Sequence, residues 1–161
     1  MPFELVANTE QKEKGRDKLL RLEQEGIFVF HGSPEAIKNL EPRQAENENS
    51  KTKEMEKDGS PAVFATPFAD VAIFRALINT TGVEGDSTSR FGIEDGIVHF
   101  ESTQNLLDRA KDKKGFVYVL KKEGFDEPVG TQCRSEESVS PVEIVEVSAE
   151  DLTKDIKIIV T

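Results

Sequence analysis

The chain is predicted to fold as a single α+β domain over residues 1–161, with about seven or eight short strands and two or three helices. Its length is that of one domain. Apolar residues come in short runs that are typical of strands, and only a few segments repeat at helical spacing. The strands crowd toward the C-terminal third, which argues against the regular alternation of a doubly wound fold.

Composition limits the classes of partner and the cellular location. Lys and Arg number 21 against 31 Asp and Glu, so the net charge is −10. A field of this sign repels phosphate backbones, and nucleic acid is therefore not favoured as a partner. The single cysteine, Cys133, excludes an internal disulfide and fits a cytoplasmic location. No run reaches the about 20 apolar residues of a membrane span, and residues 1–10 do not resemble a signal peptide.

The N-terminal elements lead to one histidine. Residues 3–7 are apolar and predict an edge strand, and residues 10–25 predict an amphipathic helix that Gly26 ends. Residues 27–31, Ile-Phe-Val-Phe-His, are followed by Gly-Ser-Pro and predict a buried strand that ends at His31.

Two polar segments flank the next predicted strand and helix. Residues 43–60 contain almost no apolar side chains, which predicts a mobile loop. Residues 61–66 predict a strand, and the Thr-Pro pair at its end is a helix-start signature for a helix over residues 67–79. Residues 80–95 are polar and rich in glycine, and they predict a second long loop.

The last third is predicted to consist mostly of strands, because β-branched and aromatic residues dominate its apolar runs. A helix is predicted after Ser102, which is a capping residue type. The predicted strands cover residues 96–100, 116–121, 129–135, 142–147 and 156–160, and the predicted helix ends at Ala110.

His31 is the first candidate functional residue. It is one of two histidines in the chain and lies where a strand meets a turn, and loops at strand ends often carry function. Its position alone leaves two interpretations open: a half-buried structural histidine or a group that contacts a ligand. Gly32 follows it and permits a close approach of backbone or ligand, because it has no Cβ.

Three segments in order resemble the ADP-ribosyltransferase fold, in particular its His-Tyr-Glu branch, which includes poly-ADP-ribose polymerases and diphtheria-toxin-like enzymes. The first is His-Gly-Ser at 31–33, at a strand end. The second is Val-Phe-Ala at 63–65, followed by a helix with Val-Ala-Ile-Phe at 71–74. The third is Gln-Cys-Arg-Ser-Glu at 132–136, which leads to Ser-Pro and a further strand. The resemblance implies a core of short mixed or antiparallel strands in two packed sheets, with an NAD cleft between the sheets.

The resemblance also implies roles for the first segment. His31 is expected to bond a hydroxyl of the nicotinamide ribose. The backbone of Gly32 is expected to pair with the nicotinamide carboxamide. Ser33 is expected to assist on the adenosine side. NAD is then a substrate rather than a resident cofactor.

In the other two segments, the residue types at the key positions differ from those of the family. The stacking tyrosine of the family falls at Val63, or at Phe64 if the register differs by one, and the small helix residue falls at Val71. The catalytic glutamate falls at Gln132. In a strand Glu136 shares the face of residue 132, at a distance of about 13 Å. His31, Gln132 and Glu136 are the candidate catalytic residues.

Two functions follow from the resemblance. One is NAD-dependent ADP-ribosyl transfer to an unknown acceptor, for which a protein is one candidate. The alternative is an inactive module of the same fold that binds a nucleotide, NAD or ADP-ribose, or a protein partner. An unrelated α+β domain with a structural His31 stays open as well. The RNA 2′-phosphotransferase branch of the fold is less favoured, because the acidic balance argues against RNA.

Overall fold

The α+β class is confirmed by the arrangement of helices and strands. The computed structural model describes residues 14–36, 43–48, 55–79 and 85–160, and only the backbone over 43–48 and 55–61. The helices are α1 (Gly15–Gln24), α2 (Ala69–Leu77), α3 (Gln104–Ala110) and a 3₁₀ turn at Ala149–Asp151. The strands are β1 (Phe28–Ser33), β2 (Arg43–Glu48), β3 (Met55–Ala65), β4 (Ser89–Glu94), β5 (Ile97–Thr103), β6 (Lys114–Lys121), β7 (Cys133–Ser135), β8 (Glu143–Ser148) and β9 (Ile156–Ile159).

The described strands form three small sheets, where the resemblance implies two. Their orders are β1-β6-β8, β2-β3-β7 and β4-β5-β9, and the β5–β9 pair alone is parallel. The first two sheets meet at one point, where Phe30 and Thr66 exchange backbone hydrogen bonds of 2.7 and 2.8 Å. A single bridge does not merge the sheets, and a split between β1 and β3 is left at the end of both strands.

Helix α2 lies unusually close to the first sheet, because two glycines face it. A Cβ on Gly32 would lie 1.9 Å from the carbonyl oxygen of Ala72. A Cβ on Gly115 would lie 2.7 Å from the carbonyl oxygen of Ala76. The close approach that Gly32 permits is therefore an approach of the helix backbone. The main core surrounds this contact and includes buried Phe30, among others.

The N-terminus of α2 is fixed by another helix and not by the predicted threonine cap alone. The helix begins at Ala69, two residues later than predicted, and the Thr66 hydroxyl accepts a hydrogen bond from the Phe68 N–H (3.1 Å). The Ala69 N–H donates to Glu23 Oε1 of α1 at 2.7 Å. Helix α1 ends before Gly26, as predicted, and buries Leu19 and Leu22.

Both long loops predicted from composition are wrong in part. Within 43–60, residues 43–48 and 55–60 are paired strands, and the rest lies outside the described residues. Within 80–95, residues 89–94 form β4, and 80–84 lie outside the described residues. Backbone pairing across each hairpin supplies the hydrogen bonds, so a strand forms without an apolar sequence.

The remaining predictions hold with shifted ends. Strand β7 is only three residues long, because Val129 and Gln132 close a tight turn in which Gly130 has a φ of 63°. The strands over 96–100, 116–121, 142–147 and 156–160 are confirmed, as is the helix that ends at Ala110. The predicted strand at 3–7 and the first residues of the predicted helix at 10–25 lie outside the described residues.

Candidate functional site

A small cleft opens where β1 and β3 separate. It lies against α2, β4 and the turn that leads into β7. Its described lining consists of Phe30, His31, Gly32, Phe64, Ala65, Thr66, Val71, Arg75, Phe91, Thr131 and Gln132. Segments more than 100 residues apart in sequence thus meet at one place, and the cleft contains five of the eight residues singled out from the sequence.

His31 is held in one orientation by the neighbouring strand. Its Nδ1 lies 2.7 Å from the carbonyl oxygen of Phe64. A carbonyl oxygen only accepts, so Nδ1 is the donor in this hydrogen bond. The His31 ring also meets the ring of Tyr118 edge-on, with centroids 6.0 Å apart. Tyr118 is fully buried and donates its hydroxyl hydrogen to the carbonyl of Glu35 (3.0 Å).

The aromatic residue of the second segment is Phe64 and not Val63. Val63 is 4 % exposed and packs in the smaller core with Tyr118 and Cys133. Because side chains alternate along a strand, Phe64 points to the opposite face and lines the cleft. The register that places the aromatic one residue later is therefore the one observed.

Of the other residues predicted to bind the ligand, some line the cleft and one is buried away from it. Val71 lies on α2 and lines the cleft, although it is almost fully buried. Gly32 also lines it. Ser33 does not, because its side chain is buried and its Oγ accepts a hydrogen bond from the Glu35 N–H (3.1 Å). The hydroxyl of Ser33 thus stabilises the turn after β1.

Of the two candidate residues from the third segment, Gln132 lines the cleft and Glu136 does not. Cys133 and Ser135 point inward and are buried, so Arg134 lies on the outer face of β7, and Gln132 directly precedes the strand. Glu136 lies in the bend that follows β7 and is exposed. The strand ends before it reaches Glu136, which removes that carboxylate from the lining of the cleft.

Two further residues line the cleft that are not among the site residues predicted from the sequence. Phe91 reaches it from β4, a segment predicted as a loop, and Arg75 reaches it from α2. The Arg75 guanidinium lies over the Phe91 ring, 5.8 Å from its centroid. The sequence does contain a signal for β4: Asp95 and Gly96 have φ values of 53° and 78°, and Asp-Gly between apolar runs is a strong hairpin signal.

The cleft is cationic within an acidic protein. No Asp or Glu side chain is among its described lining residues, whereas Arg75 is. A second guanidinium, that of Arg134, lies 5.6 Å from the centroid of the Phe64 ring, but it lines the neighbouring pocket and not the cleft. The net charge of the whole chain is −10, so the cleft differs in sign from the average surface.

A neighbouring pocket shares Phe64 and Gln132 with the cleft and has a different charge. Asp126, Glu127 and Arg134 are among its lining residues. Cys133 borders it too, and burial raises the pKa of the Cys133 thiol to about 11. A thiol with that pKa stays protonated at neutral pH, so Cys133 is no nucleophile for this site.

No protein-family model, curated protein or solved structure is significantly similar to this chain. None of the helices in the described ranges combines the length and the apolar character that crossing a bilayer requires.

Proposed function

We propose that the cleft binds an adenine dinucleotide or its ADP-ribose part, in a module that resembles the ADP-ribosyltransferases and transfers ADP-ribose weakly or not at all. The observation that supports this proposal is convergence. The three segments of the resemblance each contribute to one cleft: His31 from the first, Phe64 and Val71 from the second, and Gln132 from the third. A chance match of short motifs gives no reason for them to meet.

The chemistry of the lining suits such a ligand. The resemblance assigns a ribose hydroxyl to His31, and the hydrogen bond from Nδ1 to the carbonyl of Phe64 fixes the ring at the wall of the cleft. Phe64 and Phe91 supply flat apolar surface for a ring. The guanidinium of Arg75 supplies a charged donor for phosphate oxygens. NAD and ADP-ribose both contain these groups.

The transfer reaction needs one more group. Breaking the nicotinamide–ribose bond develops positive charge on the ribose, and a carboxylate near that charge stabilises the transition state. The resemblance expects this carboxylate at position 132, where Gln132 lines the cleft, and a neutral amide does not supply it. Binding without efficient turnover is therefore the function that we favour.

NAD-dependent ADP-ribosyl transfer, with a protein as one candidate acceptor, is the second function. The position of His31 and Gln132 in one cleft favours it, because these are two of the three predicted catalytic positions. A glutamine that only orients the ribose would leave a slow reaction. Measured turnover separates the two functions.

Calorimetry with ADP-ribose and with NAD tests the binding proposal. The unmodified protein is expected to bind at least one of them, and His31→Ala is expected to lower the affinity about tenfold or more. His99→Ala is the matched control, because the other histidine lies on the exposed face of β5 near Glu94. The proposal fails if neither ligand binds at millimolar concentration, or if both histidine variants lose affinity equally.

The Gln132→Glu variant tests the role of the missing carboxylate. We expect the unmodified protein to release nicotinamide from NAD at the background rate and Gln132→Glu to raise the rate at least about tenfold. Release of nicotinamide over time is the measurement. Glu136→Gln is the control and is expected to change nothing, because Glu136 lies outside the cleft. Clear turnover by the unmodified protein that Glu136→Gln abolishes would contradict both expectations.

A further inference from the structure

Strand β9 forms an open edge of the third sheet. It pairs with β5 on one side, and none of the described strands pairs with its other side. Natural proteins usually protect such an edge with a proline, a bulge or a covering element, because its free N–H and C=O groups can pair with another chain. The sequence of β9, Ile-Lys-Ile-Ile, contains no proline, and its ladder with β5 runs without a register shift. The backbone of β9 is therefore suited to pairing with a further strand.

The apolar side chains of β9 continue beyond the core. Ile156 lies opposite Phe100 in the ladder and packs against the main core. Because side chains alternate along a strand, Ile158 continues the same row, and it is 42 % exposed. Val160, which directly follows the strand, is 90 % exposed. Apolar surface thus remains uncovered beside the open strand edge.

Cover and charge distinguish β9 from the edge strands β8 and β4. Helix α1 packs against β8, where Lys18 forms an ion pair with Glu143. Strand β4 alternates the charged Arg90 and Glu94 with Gly92, which has no side chain to pack. An apolar row at an unpaired edge is therefore a property that β9 does not share with these two strands.

The local charge at β9 favours a second copy of this chain more than the total charge does. The net charge of −10 opposes self-association in general. Residues 154–160 contain two lysines and one aspartate, so this segment is not acidic. Lys157 also lies opposite Glu101 in the ladder of β5 and β9, which supplies the opposite charge within the same sheet. Two copies that meet at β9 thus avoid most of the repulsion between their surfaces.

We propose that β9 pairs with β9 of a second copy, antiparallel and about a two-fold axis at Ile158, so that the two sheets become one. Such an axis, perpendicular to the sheet, keeps the same face of both copies on the same side. Ile158 then lies opposite its counterpart, and Ile156 lies opposite Val160 of the second copy. On the other face Lys157 lies opposite Ile159.

This register covers the exposed apolar row and opposes no like charges. An axis at Lys157 instead would place two lysines directly opposite each other, which is destabilising. The two-fold axis also uses both open edges, so assembly stops at two copies. The inference does not depend on the proposed function, since the described lining of the cleft includes no residue of β9.

Sedimentation equilibrium of the full chain from about 1 to about 300 µM tests the dimer. The contact involves about five residues of each copy, so a weak dimer is expected, with a dissociation constant of about 10–100 µM. The weight-average mass is expected to rise reversibly from 17.9 kDa toward twice that value. Raising NaCl from about 20 to about 200 mM is expected to lower the dissociation constant, because it screens the repulsion between two acidic copies. A mass that stays at one chain, or that passes beyond two chains, overturns the inference.

The Ile158→Lys variant tests whether β9 is the contact. It is expected to raise the dissociation constant at least about tenfold, because it places two lysines opposite each other at the axis. The same change makes the chain less acidic, so a non-specific charge effect would act in the opposite direction. Ile144→Lys is the matched control, since Ile144 is 43 % exposed and lies on edge strand β8. This control is expected to leave the dimer unchanged, and equal weakening by both variants overturns the assignment to β9.

Cysteine cross-linking tests the register. Directly opposite residues of antiparallel strands have Cα atoms about 4.5–5.5 Å apart, which a disulfide can bridge. Ile158→Cys is therefore expected to form a disulfide-linked dimer when oxidised glutathione is added. Lys157→Cys is the control, because the two residues 157 lie on a diagonal, about 7–8 Å apart. Equal or faster cross-linking of Lys157→Cys, or none in either variant, overturns the axis at Ile158. The unmodified protein, in which Cys133 is buried, gives the background, and circular dichroism checks the fold of each variant.

Discussion

Gly32 is the residue at which the cleft and the core meet. It lines the cleft on one side, and on the other side the carbonyl oxygen of Ala72 lies where a Cβ would be. The carbonyl of Phe64 fixes the neighbouring His31, so the orientation of the imidazole depends on the position of β1 relative to β3. A side chain at position 32 therefore disturbs packing and site together.

Gly32→Ala is expected to lower the free energy of unfolding by about 3 kcal/mol, because the new methyl group at 1.9 Å from a backbone oxygen forces α2 away from β1. Urea denaturation monitored by circular dichroism measures it. Gly92→Ala is the control, since nothing lies within 4 Å of its Cβ position, and its effect is expected within about 0.5 kcal/mol. Similar losses in both variants would show that Gly32 is not specially constrained.

Carboxylate side chains from neighbouring elements cap the N-termini of the two helices that support the cleft. Asp151, at the end of the 3₁₀ turn, accepts hydrogen bonds from the N–H groups of Arg16 (3.0 Å) and Ser148 (2.9 Å) and so holds the start of α1. Near the other end of α1, Glu23 accepts from the Ala69 N–H and holds the start of α2. Arg16 adds two hydrogen bonds to Asp70, of 2.8 and 3.0 Å. The wall of the cleft formed by α2 thus depends on these contacts.

Glu23 is predicted to make the stability of the fold depend on pH. Burial, more than any other cause, raises the pKa of its carboxyl above the ordinary 4.5, although the Ala69 hydrogen bond acts in the opposite direction. A raised pKa in the folded state means that the contribution of this group to stability is present below pH 4.5 and is lost as the pH rises through the folded pKa.

Glu23→Gln keeps an acceptor for Ala69 and removes the charge. Relative to this variant, the unmodified protein is expected to gain stability as the pH falls from 7 toward 4.5. Glu23→Ala loses the cap as well and is expected to cost about 1 kcal/mol. Urea midpoints over this pH range provide the measurement. A difference between the unmodified protein and Glu23→Gln that does not change with pH would contradict the expectation.

At the scale of the whole molecule, the charge of the surface and the charge of the cleft have opposite signs. The chain carries a net charge of −10 and a calculated pI near 4.8, and self-repulsion of this kind destabilises a compact state. The described ion pairs are mostly at the surface, where each contributes little. Arg75 in the cleft is thus a local exception in an acidic molecule.

Moderate salt is expected to stabilise the protein at pH 7, because counterions screen the excess negative charge. Raising NaCl from about 20 to about 200 mM shortens the screening length from about 20 Å to below 10 Å. We expect the melting temperature to rise by about 2–4 °C, which corresponds to about 1 kcal/mol for a domain of this length. Near the pI the same change of salt is expected to have a smaller effect. A melting temperature that falls with salt at pH 7 would show that attractive ion pairs outweigh repulsion.

Much of the fold was predictable because it depends on local patterns. The apolar run before His31 buries Val29 and Phe30, and the strong β-formers at 116–121 make the central strand of its sheet. The predictions that fail are the two long loops, because composition gives no information on backbone pairing between strands. The polar stretches at 43–48 and 55–60 become strands because each supplies the backbone hydrogen bonds of the other.

The amino-acid sequence by itself determined the α+β class, the strand that carries His31 and the acidic surface, since each depends on residues close together in the chain or on composition alone. Only the tertiary structure decided that Phe64 faces the cleft and Val63 does not, that Glu136 stays outside, and that Arg75 and Phe91 complete the site. These properties depend on strand register and on contacts between distant segments. A one-residue shift reverses the face of every side chain in a strand, and no local pattern fixes which distant segments pack together.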